Sequence, residues 1–68
     1  MNNTIRLTKA FYEKSAISKA VEAYASIASI KIEETETNYI CDVMSSKYDT
    51  QLVLNEFANY VLGIMNSW

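Results

Sequence analysis

The last stretch of the chain, residues 49–68, is more apolar than a helix on the surface of a small domain needs to be. Asp49 has the short acceptor side chain typical of a helix N-cap, and helical spacing follows it. One face carries large apolar residues that would dock the helix on a sheet: Val53, Phe57, Tyr60, Val61, Ile64 and Trp68. A second apolar stripe lies beside it: Leu54, Ala58, Leu62 and Met65. Together they widen the apolar arc beyond the roughly 100° that docking requires.

Two interpretations of the second stripe are open. It packs against another helix of the same molecule, since elements on one sheet face usually touch, or it contacts another chain. The chain has 68 residues and one cysteine, and small domains without disulfides often gain stability from a partner. If the stripe contacts a partner, Leu54→Asp or Met65→Asp should weaken association and leave the chain folded.

The rest of the chain predicts a single α+β domain over residues 1–68. Alternating apolar residues indicate strands and a helical period indicates one earlier helix that starts at Glu13 or Ser15. The predicted segments are a strand at 4–9, a helix at 16–28, and strands at 29–34 and 39–45. The short polar loop 35–38 makes the last two strands antiparallel neighbours, and a right-handed crossover makes the first strand parallel to the second. We therefore predict a two-layer β-α-β-β-α fold, with two helices packed on one face of a three-stranded sheet.

The uncovered face of this sheet is the second candidate contact surface. If Tyr39, Cys41 and Val43 point to the helices, Ile40 and Met44 point away, among polar and charged neighbours. Isolated apolar side chains on a surface are normal. The alternative is a contact site, including strand addition at an exposed sheet edge.

The residue inventory argues against catalysis. The chain has no histidine, so the usual neutral-pH base is missing, and one glycine, so a Gly-rich phosphate loop is excluded. Cys41 is expected to be a small buried hydrophobe, and Glu33, Glu34 and Glu36 to be a solvated turn. We predict no catalytic residue, no cofactor, no metal ligand and no enzymatic activity.

Charge and hydropathy exclude two classes of partner. The net charge is −2 and the six basic residues are scattered, whereas nucleic-acid binders usually have a basic face. The first residues lack the pattern of a signal peptide, and no apolar run approaches bilayer length. We expect a cytoplasmic protein with a reduced thiol, no nucleic-acid partner and no membrane partner.

Short strings in the chain resemble a known family. Tyr12 precedes the string Ala-Ile-Ser-Lys-Ala at 16–20, and Asn55 and Glu56 lie between Leu54 and Phe57 in the last helix. This pattern resembles the small D protein of the His-Xaa-Ser peptide-maturation systems, which accompanies radical-SAM enzymes. The resemblance implies an accessory protein that presents a peptide or supports an enzyme.

Two functional hypotheses follow from the sequence. The first is a non-catalytic accessory module that binds a peptide or enzyme partner. The second is a self-associating, homodimeric structural or regulatory module with no peptide client. In both, the candidate contact residues are Leu54, Ala58, Leu62, Met65, Ile40 and Met44.

Overall fold

The computed structural model describes residues 3–66 and confirms the predicted order of elements. Trp68, which the sequence placed on the docking face of the last helix, lies outside the described residues. The elements are β1 (Thr4–Thr8), α1 (Lys14–Ala23), β2 (Ala28–Glu34), β3 (Asn38–Ser46) and α2 (Thr50–Met65). The fold is α+β, as predicted.

The sheet has the order β1-β3-β2, and β3 pairs antiparallel with both outer strands. β1 and β2 therefore run in the same direction, as predicted, but β3 separates them. Cys41 at the centre of β3 is opposite Ile5 on one side and Ile32 on the other. Because alternate residues of a strand face the same side, Tyr39, Cys41 and Val43 all point to the helices and are buried.

The register of the β2–β3 pair shifts at Met44. Ile30 pairs with Val43 and Ser29 pairs with Ser45, so Met44 has no partner on β2. This extra residue forms a β-bulge, which changes the side of the sheet to which the following residues point. The bulge places Ser46 opposite Ala28, which is buried against the helices.

Helix α1 ends earlier than its apolar period predicts. The predicted helix ran to Ala28, but α1 ends at Ala23 and Ala28 is the first residue of β2. The amides of Ile27 and Ala28 both donate to the carbonyl of Tyr24 at 2.8 Å, and the amide of Lys47 donates to the carbonyl of Ile27 at 2.9 Å. Pairing with β3 therefore overrides the local helical pattern. At the other end Glu13 is the N-cap residue, with no side-chain cap bond.

Helix α2 begins as predicted. The Asp49 carboxylate accepts a hydrogen bond from the amide of Leu52 at 3.1 Å, which satisfies one of the free donors of the first turn. The buried residues of α2 lie on the face toward the sheet and α1: Val53, Leu54, Phe57 and Val61. Tyr60, which the sequence placed on the docking face, is exposed. The buried face is therefore displaced toward the second stripe.

Candidate contact surface

The second stripe of α2 divides between core and surface. Leu54 has no exposed surface, Ala58 and Met65 are partly buried against the core, and Leu62 is exposed. Of the two interpretations left open for the stripe, packing within the molecule applies to Leu54, which belongs to the buried core cluster and has no surface to offer a partner in this structure. The same cluster contains the small side chains Ala16 and Ala20 of α1, which allow a close approach of the helices.

Ile40 lies on the sheet face opposite the helices, because it alternates with the buried residues Tyr39 and Cys41. It is partly buried between its cross-strand neighbours Arg6 and Glu33. Met44 occupies the bulge and is 64% exposed. The sheet separates Ile40 from α2, so the six predicted contact residues do not form one surface.

A cleft that the sequence did not predict lies beside α2. It has a volume of about 240 Å³ and is lined by Tyr24, Ile27, Tyr48, Leu52, Val53 and Glu56. Its lining comes from the end of α1, the turn that follows it, the β3–α2 connection and the first half of α2. Tyr48 is 62% exposed and Leu52 is 53% exposed. Two large apolar side chains therefore stand at the mouth of an apolar cleft, which is the arrangement expected of an interaction site.

Local hydrogen bonds hold the exposed residues of the cleft in place. The Ser46 hydroxyl donates to the carbonyl of Tyr48 at 2.8 Å and accepts from the amide of Tyr48 at 3.1 Å. The Asp49 cap fixes the amide of Leu52 in the same way. Both side chains are thus presented by an ordered backbone, which lowers the conformational entropy that this protein loses when it binds a partner.

The wall of the cleft is anchored in the core by aromatic contacts. The Tyr24 ring lies 5.8 Å from the Phe57 ring and 5.5 Å from the Tyr60 ring, at interplanar angles of 87° and 83°. These are edge-to-face contacts, a favourable geometry for aromatic pairs. Burial raises the pKa of Tyr24, and the nearby carboxylate of Glu56 and then Tyr60 raise it further. Tyr24 therefore remains a neutral phenol at physiological pH.

The carboxylate of Glu34 belongs to a different cluster, at the hairpin end of the sheet. Lys9 Nζ lies 2.7 Å and Lys14 Nζ 3.4 Å from its oxygens, and Lys9 Nζ also lies 5.3 Å from the centre of the Tyr39 ring. The hydrogen bonds from Lys9 and then Lys14 lower the pKa of Glu34. These contacts connect the ends of β1 and β2 with the start of α1, so we interpret the cluster as structural.

The single thiol is enclosed by the core. Cys41 has no exposed surface, and burial, followed by the charge of Asp42, raises its pKa to about 11. A nucleophilic cysteine needs the opposite shift and access to solvent. Among residues 3–66, no group of three or more metal-ligating side chains comes together.

We expect Cys41 to be labelled only when the domain unfolds. At pH 8 the native thiol should react with a thiol reagent at least about a hundredfold more slowly than in denaturant. The reason is that a free energy of unfolding of a few kcal/mol leaves only about one chain in a hundred, or fewer, unfolded and reactive. The reaction is followed by absorbance with an aromatic disulfide reagent. Labelling of the native chain at the denatured rate would contradict the buried placement of Cys41.

Comparisons with known proteins identify no family. No family model matches the chain, and no curated protein and no solved structure is significantly similar to it. Neither helix within residues 3–66 is both long enough and apolar enough to span a bilayer. The resemblance to the D proteins of peptide-maturation systems therefore rests on the short strings near Tyr12 and Asn55 alone.

Proposed function

We propose that this protein is a small, non-catalytic interaction module that binds a protein or peptide partner through the cleft beside α2. The observation that carries the proposal is the exposure of Tyr48 and Leu52, at 62% and 53%, at the mouth of an apolar cleft. An exposed apolar pair on an ordered backbone is costly to leave in water, and its burial against a partner supplies binding energy.

The size of the cleft favours a polypeptide partner over a cofactor. Its volume of about 240 Å³ is below the roughly 300–1,000 Å³ of small-molecule pockets. Such a cleft accommodates one or two side chains of a partner. The absence of histidine from the sequence and the burial of its only thiol support a non-catalytic role.

The biological setting that we propose comes from the resemblance. In it, the protein is a cytoplasmic accessory component of a radical-SAM peptide-maturation system, and the client is the precursor peptide or the enzyme. The net charge of −2 disfavours a nucleic-acid partner, because nucleic-acid binding depends on basic residues that contact phosphates.

Self-association is a second candidate function. Among the described residues, β2 pairs with β3 on one side only, so its outer edge has no strand partner. A free edge permits strand addition by a second copy. Static light scattering separates the candidates, because a strict monomer at high micromolar concentration excludes a homodimeric module.

The proposed function is tested by capture of proteins encoded by neighbouring genes. We expect Leu52→Ala to reduce capture of a purified precursor peptide or radical-SAM enzyme at least about tenfold, because it removes the apolar side chain that a partner would cover. Met44→Ala is the matched control, since it truncates an exposed apolar residue that does not line the cleft and should bind normally. Equal binding by Leu52→Ala and the native chain would refute the proposal.

A further inference from the structure

The charge of the cleft identifies the chemistry of its occupant. We propose that the cleft binds a basic side chain, lysine or arginine, of the partner polypeptide. This inference rests on the proposed function and specifies which residue of the partner enters the cleft.

Glu56 supplies the charge. Its side chain lines the cleft, and it forms no ion pair with any residue of the described range 3–66. Two other carboxylates have lysine partners: Glu34 pairs with Lys9 and Lys14, and Glu33 pairs with Lys31 at 3.4 Å. The charge of Glu56 is therefore available to a cation from outside.

The walls around Glu56 match the rest of a basic side chain. Ile27, Leu52 and Val53 form an apolar surface for the methylene stem of lysine or arginine. The Tyr24 and Tyr48 rings lie on the same cleft, and a cation beside an aromatic face gains further attraction. An apolar wall with one carboxylate selects a long, positively charged side chain over a purely apolar one.

The same features disfavour other occupants. An acidic or phosphorylated side chain would be repelled by Glu56, and no lysine or arginine lines the cleft to offset that repulsion. Lys47, the basic residue adjacent to Tyr48, lines the neighbouring hollow, which shares Ile27 with the cleft, and does not line the cleft itself. Charge complementarity therefore favours a basic partner.

The test uses short peptides that differ in one central residue. Acetylated and amidated five-residue peptides with lysine, arginine, norleucine or glutamate in the middle are titrated into the isotopically labelled full chain and followed by NMR. We expect saturable shifts of the Tyr24, Leu52 and Glu56 amides with the lysine or arginine peptide, with a Kd of about 1–10 mM. Norleucine has a similar stem without the charge and should bind at least about fivefold more weakly.

Two variants separate the charge of Glu56 from the overall charge of the chain. Glu56→Gln keeps the size and helix propensity of the residue and should weaken binding of the lysine peptide about fivefold to tenfold. Glu36→Gln is the matched control, because it removes the same charge from the β2–β3 turn, at the other end of the hairpin from the cleft. This control should bind as the native chain does.

Distinct results overturn the inference and the proposed function. The inference fails if the norleucine peptide binds as tightly as the lysine peptide, if neither basic peptide gives saturable shifts, or if Glu56→Gln binds normally. It also fails if the cleft amides shift with protein concentration alone, which would indicate a second copy as the occupant. Partner capture that is lost in Leu52→Ala and unchanged in Glu56→Gln would retain the proposed function and refute the basic side chain.

Discussion

Phe57→Ala is expected to remove most of the stability of the domain, at a cost of about 3–5 kcal/mol. Phe57 has no exposed surface, and its ring contacts Tyr24 edge to face at 5.8 Å. The substitution leaves a cavity where α2 meets α1 and the sheet, and it removes one of the two aromatic partners of Tyr24. A single core of this size supplies only about 3–5 kcal/mol in total. Urea denaturation followed by circular dichroism measures the loss.

Leu62→Ala is the control for Phe57→Ala on the same helix. Leu62 is exposed, and surface substitutions usually change stability by less than about 0.5 kcal/mol. Similar losses of unfolding free energy in the two variants would show that burial does not determine how much each side chain contributes to stability. A cost below about 1 kcal/mol for Phe57→Ala would contradict the central place of Phe57 in the core.

Several features of the fold could be predicted because they depend on local sequence. Asp49 caps α2, and the strand alternation directs Tyr39, Cys41 and Val43 to the helices. The antiparallel β2–β3 hairpin follows from its short polar turn. These features require no knowledge of distant parts of the chain.

The features of the fold that the sequence did not predict depend on contacts between residues far apart in the chain. The end of α1 is set by the bond between the Lys47 amide and the Ile27 carbonyl, which no helical period reveals. Leu54 becomes core because α1 packs against it through small alanines, and the sequence left both interpretations of that stripe open. The central position of β3 depends on which strands pair, and the alternation of apolar and polar residues along a strand does not specify its neighbours.

The cleft was missed for the same reason. With α1 extended to Ala28, Tyr24 falls inside a helix, whereas the structure makes it the C-cap residue, near Tyr48 and Leu52. A usable signal was the exposed Leu52, the apolar residue on the polar side of the last helix. An apolar residue out of phase with its helix is the feature that marks the proposed contact site.

Leu54→Asp is expected to unfold the isolated chain, in contrast to the outcome expected from a partner-binding stripe. Leu54 has no exposed surface, so the substitution removes a buried side chain, at about 2–5 kcal/mol, and places an unpaired carboxylate among apolar atoms, at several kcal/mol more. This sum exceeds the roughly 3–5 kcal/mol that a core of this size provides.

Leu52→Asp makes the comparison decisive, because it introduces the same residue two positions earlier in α2. Leu52 is 53% exposed and lies in the first turn of the helix, where a negative charge is favourable. We therefore expect this variant to keep the native circular dichroism spectrum. If Leu54→Asp also folds as a monomer, the packing of α2 against α1 is wrong and the stripe is a contact surface. If Leu52→Asp unfolds as well, the cleft is part of the core and has no free surface to offer a partner.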